Sequence, residues 1–146
     1  ILSGCISTGR DVATARMLGC DFAHMGTRFI ATAESQAPAE YKQTIVESGS
    51  MDITYTPAAS GIPANFLTKS LIENGIDPKT LPDHKLDMAE EAKAWKTVWS
   101  AGQGAGAVHD VLPTAGLIER LKTEYRAAVD QFRSGDRFEQ EGLGVL

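Results

Sequence analysis

Short apolar runs that end in glycine alternate with a stretch of helical spacing along the first part of the chain. Ile1-Leu2-Ser3-Gly4 is the first such run, and a small polar turn, Ser7-Thr8-Gly9, follows it. From about Arg10 to Leu18 the spacing predicts a helix, and Gly19 predicts its end because glycine adopts positive φ at little steric cost. Asp21-Phe22-Ala23-His24-Met25-Gly26 then repeats the apolar run and its glycine, and leads into Thr27-Arg28-Phe29-Ile30-Ala31. The predicted order is strand, helix, strand and turn. Two strands joined by a helix of this length lie parallel with a right-handed crossover, so Gly4 and Gly26, 22 positions apart, fall at the same end of the sheet.

Beyond Ala31 the pattern turns largely helical. Ser35 and Pro38 predict the start of a helix through Tyr41, Ile45 and Val46, with proline where a missing N–H costs least. Met51 to Thr56 alternates as a short strand, with Ile53 and Tyr55 on one side and Thr54 and Thr56 on the other. Gly61-Ile62-Pro63 marks a turn, after which Phe66, Leu67, Leu71 and Ile72 read as a helical face ending at Asn74-Gly75. Asp77-Pro78 through Asp83 reads as a loop. Met88, Ala92, Trp95 and Trp99 recur at helical spacing, a stripe expected in the core. Asp110 is expected to cap a last helix that includes Pro113 and packs on the outside of the domain through Leu117, Leu121, Tyr125, Ala128 and Phe132. No internal repeat appears beyond the two strand-helix units.

Composition narrows the classes. With 146 residues, 42% hydrophobic and 23% charged, the chain is that of a globular protein able to bury a core. Its net charge of -5, without a basic stripe, argues against a nucleic-acid partner. No apolar run approaches the roughly 20 residues that cross a bilayer, so no membrane partner is expected. Cys5 and Cys20 lack zinc-ligand spacing and a disulfide framework, and read as reduced thiols of a cytoplasmic protein. The chain opens at Ile1-Leu2 with neither Met nor signal-peptide features, as though cut into a strand, and the expectation is that sequence is missing upstream.

The chemistry lies in the pair Ser3-Gly4-Cys5-Ile6 and Met25-Gly26-Thr27-Arg28. A glycine ending a parallel strand lets the backbone approach a ligand, and the helix that follows offers N–H groups and a positive dipole end. Either glycine alone reads better as a simple strand end. Their matched placement, with the Thr27 hydroxyl added, points to an anion site. In (β/α)8 barrels the loops after the seventh and eighth strands commonly bind phosphate. A phosphate monoester carries about -1.5 to -2 charges and one helix terminus contributes only about 0.3–1 kcal/mol, so several donors must converge.

Three stretches carry a family resemblance: Gly4-Cys5-Ile6-Ser7-Thr8-Gly9-Arg10-Asp11-Val12, Leu18-Gly19-Cys20-Asp21, and His24-Met25-Gly26-Thr27-Arg28-Phe29-Ile30-Ala31-Thr32. They resemble the nitronate monooxygenases, formerly 2-nitropropane dioxygenases, as does the later Ala101-Gly102-Gln103-Gly104-Ala105-Gly106. The resemblance runs from Ile1 to about Leu121, with Met-Gly-Thr-Arg-Phe its most specific element. It implies an α/β fold class: the C-terminal portion of an FMN-binding (β/α)8 TIM barrel with a helical insertion. Residues 1–146 would supply the last two βα units, the insertion and the terminal helix. It also implies oxidation of alkyl nitronates or nitroalkanes by molecular oxygen, with FMN held at Gly4, Cys5, Met25, Gly26 and Thr27. Cys5 replaces the second glycine of the family's usual Gly-Gly-Ile and adds a Cβ where close approach is wanted.

Other residues keep two readings. His24, where the family often has Gln, faces either the flavin or the barrel. Gln103 reaches the flavin edge or substrate entrance, or its glycine neighbours only shape a loop. Arg28 adds charge near the phosphate or forms a salt bridge, the preferred reading. His84 and His109 read as solvated or locally bonded, and neither cysteine has a sequence-adjacent base. The family's catalytic histidine is expected upstream of Ile1, so no catalytic residue is assigned.

A (β/α)8 barrel needs about 250 residues, so the expected partner is the missing N-terminal half of the barrel; alone, the chain is expected to form a homodimer or fold poorly. A flavin-dependent enoyl thioester reductase and a non-enzymatic phosphate-binding half-barrel are the competing functions.

Overall fold

A computed structural model describes residues 1–59, 61–77 and 97–134. Strands β1 (Leu2–Ser3) and β2 (Ala23–His24) pair in parallel, Leu2 opposite Ala23 and Ser3 opposite His24, with helix α1 (Gly9–Met17) as the crossover. Local chemistry sets both ends of α1. Thr8 accepts a hydrogen bond from the Asp11 amide while the Asp11 carboxylate accepts from the Thr8 amide, a reciprocal capping box. At the other end Gly19 takes φ of +82°, and its amide and that of Cys20 donate to the carbonyls of Arg16 and Ala15, closing the helix as the sequence predicts. The turn after β2 becomes a short helix, α2 (Thr27–Ile30).

Next come α3 (Ala39–Glu47), a 3-10 turn (Ser50–Asp52), strands β3 (Ile53–Thr56) and β4 (Ala64–Leu67), and α4 (Thr68–Glu73). β3 and β4 form an antiparallel hairpin, Ile53 opposite Leu67 and Thr56 opposite Ala64. Phe66 and Leu67 therefore belong to a strand and not to the helical face expected for them; only the residues from Thr68 onward are helical. The main core gathers Ala31, Ile45, Ile53, Leu67, Ala101, Ala105 and Val108. Trp99 leaves the expected helical stripe: its ring stacks on Tyr41, centroids 5.1 Å apart, at the edge of this core. Burial pushes the Tyr41 phenol up, and its hydroxyl donates to the Ser100 carbonyl. Met88, Ala92, Trp95, His84 and the loop from Pro78 to Asp83 lie outside the described residues.

Helix α5 (Thr114–Ser134) packs along α1 with Leu117 fully buried, Leu121 and Tyr125 half-buried, and Phe132 68% exposed. Its first turn is not capped by Asp110. The Glu34 carboxylate accepts from both the amide and the hydroxyl of Thr114, at 2.8 Å each, while Asp110 serves an ion pair described below. α1 and α5 approach closely at Gly9, whose amide donates to the Glu124 carboxylate at 2.7 Å. A Cβ on Gly9 would stand 2.1 Å from the Leu121 carbonyl oxygen and 2.5 Å from the Tyr125 nitrogen. Gly116 has nothing within 4 Å of such a position.

Two outcomes follow from this packing. Gly9→Ala should destabilise by about 3 kcal/mol, because backbone must shift to admit the methyl. Gly116→Ala should stabilise by about 0.5 kcal/mol through reduced chain entropy. Urea unfolding followed by circular dichroism checks both, and equal effects would remove the close helix approach as their cause.

Glu34 gives a pH signature. Hydrogen bonds from Thr114 hold its carboxyl below the ordinary carboxylate range. A depressed folded pKa contributes stability above the unfolded pKa, and this is lost as pH falls through the folded value. Thermal stability should therefore drop on acidification below about pH 4. Glu34→Gln should flatten that drop in a pH series of melting curves.

Candidate functional site

Because β1 and β2 are parallel, the chain leaves both strands at one end, where the two glycine turns meet. A cavity of about 190 Å³ opens between them. Ser3, Gly4, Cys5, Ile6 and Ser7 line it from the first turn, His24, Gly26 and Thr27 from the second, and Gly102 and Gly104 from the segment before α5. Binding pockets for whole small molecules run to about 300–1,000 Å³, so this space matches one end of a larger ligand. Larger clefts of about 690 and 640 Å³ flank α1 and α5, but none of the glycine-turn residues lines either.

The two turns use glycine differently. Gly4 has φ of +91°, so backbone conformation itself requires it. Cys5 follows at φ of +56°, also left-handed, in the position where the resemblance expects glycine. Gly26 has ordinary negative φ, -101°, and a Cβ built on it meets nothing within 4 Å. Neither backbone geometry nor protein packing calls for glycine there, and the space it leaves open belongs to the cavity.

The polar groups are specific. Thr27 Oγ1 accepts from the Gly102 amide at 2.9 Å, which leaves the Thr27 proton free to donate. Ser7 Oγ donates to the Gly104 carbonyl at 2.8 Å. Ser3 Oγ and His24 Nδ1 stand 3.1 Å apart, with both side chains exposed, so His24 faces this end of the sheet and not a core. The N-terminus of α1 differs from expectation. The amides of Ser7 and Thr8 donate to the Asp11 carboxylate, and that of Gly9 to Glu124, so carboxylates of the chain already occupy this helix end. An anion would sit on the turn before it.

Of the remaining residues singled out from the sequence, Met25 is half-buried and Gln103 exposed, and neither lines the cavity. Arg28 is buried, 3% exposed, and pairs with Asp110 at 2.8 Å while also donating to the carbonyls of Ala31 and Asp110. Burial pulls its pKa below the ordinary guanidinium value, against the attraction of Asp110. Arg28 is thus a structural ion pair. His109 is exposed. Cys20 lines a cleft beside α1 instead of the cavity. Among the described residues no group of His, Cys, Asp and Glu is suited to a metal, and no helix is long and apolar enough to cross a membrane. Sequence reasoning missed Ser7 as a site residue, since its partner Gly104 lies 97 positions away.

Cys5→Gly should raise stability by about 0.5–1 kcal/mol, as relief of a left-handed Cβ outweighs glycine's extra chain entropy. A lower denaturation midpoint for Cys5→Gly would show that the thiol makes a compensating contact.

Comparison with known proteins agrees with this geometry. The family model for nitronate monooxygenase matches residues 1–124. A nitronate monooxygenase of Paraburkholderia phytofirmans is 30% identical across 91% of this chain and 39% of its own length. One of Pseudomonas aeruginosa is 29% identical across 86% and 39%. The chain thus spans about two fifths of the length of the curated relatives it matches. Among solved structures, FabK from Thermotoga maritima aligns with a TM-score of 0.68 at 27% identity, over 90% of this chain and 45% of that one. Nitroalkane oxidase from Streptomyces ansochromogenes aligns with 0.67 at 28%, over 88% and 39%. The architecture is the expected one, a part of an α/β barrel, with a β-hairpin in the segment read as largely helical. With the match covering both glycine turns, the cavity between them and most of α5, the chain belongs to the nitronate monooxygenase family.

Proposed function

We propose that this chain supplies the phosphate grip of an FMN-dependent oxidoreductase that oxidises alkyl nitronates with molecular oxygen. The observation that carries the reading is Gly26: a glycine that neither backbone nor packing requires, opening onto a cavity shared by two parallel strand ends. The fit to a phosphate end is good in size and in chemistry. Backbone of Gly4, Cys5 and Gly26 can approach the group closely, and the Thr27 hydroxyl has a proton to give. No Lys or Arg lines the cavity among the described residues, so amides and hydroxyls would hold the anion. His24, beside Ser3 at the rim, is positioned to donate to the outer part of the cofactor. FMN, when bound, supplies the redox chemistry; the chain supplies position and electrostatics.

The proposal extends to the barrel's remaining βα units as the partner that completes the sheet, and to a cytoplasmic location. The second is supported by free thiols at Cys5 and Cys20.

The test is an absorption spectrum of the full-length protein, followed by heat release of its chromophore. A two-band flavin spectrum with FMN released is expected, and a protein that is colourless as purified and again after incubation with FMN and removal of the unbound excess would overturn the reading. Gly26→Ala should lower FMN affinity tenfold or more, with circular dichroism unchanged because the added Cβ meets no protein atom within 4 Å. Structural likeness is shared about equally between nitroalkane oxidase and FabK, so turnover is measured in two arms. Oxygen uptake with an alkyl nitronate supports the proposal, and NADPH consumption with an enoyl thioester supports a reductase instead.

A further inference from the structure

The segment Gly102–Ala107 is held across the cavity by two hydrogen bonds of opposite sense. At its start Thr27 Oγ1 accepts from the Gly102 amide; two residues later Ser7 Oγ donates to the Gly104 carbonyl. The contact at Gly104 is close. A Cβ there would lie 2.7 Å from Ser7 Oγ and 3.1 Å from Cys5 Cα, so the segment rests on the first turn closely enough that a side chain would displace its neighbours. A Cβ on Gly106 would lie 3.2 Å from the Ser50 amide nitrogen, which seats the far end of the segment on the turn before β3. Between the two pins Gln103 is exposed, with its neighbours on either side lining the cavity.

Ser7 is 3% exposed and has one proton, which goes to Gly104. It therefore has no proton to offer an anion in the cavity, although it lines that cavity. Its role runs through the segment it holds. Resting on the flavin reading above, we infer that Ser7 is a positioning residue: its hydroxyl fixes the Gly102–Gly104 wall against the first glycine turn, so that cofactor affinity depends on a proton given to the chain and not to the cofactor. Thr27 differs, because it pins the same wall and also has a proton left for the ligand. Loosening the wall at Ser7 widens the cavity on the side of Gly104 and frees Gln103 from its fixed place between the pins.

The experiment uses the full-length protein with Ser7→Ala, which removes the donor, and Ser7→Cys, which keeps a weak one at similar size. Hydrogen exchange of peptides covering Gly102–Ala107 is measured without flavin, and FMN affinity is measured by fluorescence quenching. Loss of one hydrogen bond predicts roughly threefold to tenfold faster exchange in that segment and a comparable weakening of FMN binding for Ser7→Ala, with Ser7→Cys between it and the wild type. Unchanged exchange at Gly102–Ala107 overturns the pin, whatever FMN does. Faster exchange with unchanged FMN affinity overturns the link between wall and cofactor. Wild-type protein that fails to bind FMN overturns the proposed function and with it the link, while the exchange data still decide whether Ser7 holds the segment. Should Ser7→Ala fail to fold, the Ser7→Cys variant is read against the same three outcomes.

Discussion

The parallel pairing of β1 with β2 is the constraint on which the site depends. Two residues per strand are enough, because parallel direction puts both exits at one end and register sets them level: Leu2 lies opposite Ala23 and Ser3 opposite His24. An antiparallel pairing would send them to opposite ends. The crossover helix must then pack closely, and Gly9 permits this by letting backbone of α1 lie almost against backbone of α5. Thus a sheet of minimal size is stabilised mainly by what covers it.

Charged side chains of the described residues hold distant elements together. Arg28, at the start of α2, is desolvated, and a buried guanidinium needs a partner and satisfied donors. Asp110 provides the first, accepting from Nη2, and the carbonyls of Ala31 and Asp110 accept from Nη1. Asp110 in turn meets Arg120 of α5 at 2.7 Å, so one carboxylate joins the second glycine turn to the last helix. Glu34 and Glu124 act similarly, each accepting from a backbone amide more than 75 positions away. The long terminal helix is docked by carboxylates that reach its first turn, or leave from its middle, at places set by the rest of the fold.

What was legible in the sequence was local. The helix after the Ser7-Thr8-Gly9 turn, the positive φ at Gly19 and the two strand-glycine turns each lie within a few residues, and each appears where the pattern predicts. The hairpin's first strand, Ile53–Thr56, lies where the alternation predicts, but its second was missed because Phe66, Leu67 and Leu71 are all buried and mimic a helical face. Their apolar spacing straddles a strand-to-helix junction, and only pairing with Ile53 to Thr56 reveals the strand. Asp110 looked like a cap because caps are usually adjacent, whereas the actual acceptor, Glu34, comes from 80 positions away. The cavity was half visible: its two glycine turns were evident, but its third wall depends on the pairs Ser7 with Gly104 and Thr27 with Gly102, which no sequence window contains.

Arg28 buried against Asp110 leaves a cavity bounded by amides, hydroxyls and one imidazole, with no Lys or Arg in its wall among the described residues. An anion gripped by dipoles and not by a mobile cation gives up little when ionic strength rises, because screening acts mainly on exposed, full charges. Such a grip also belongs to the main chain, which every residue shares. A grip of that kind depends on the path of the backbone more than on the side chains along it, and Cys5 keeps a left-handed turn at φ of +56° with a Cβ attached.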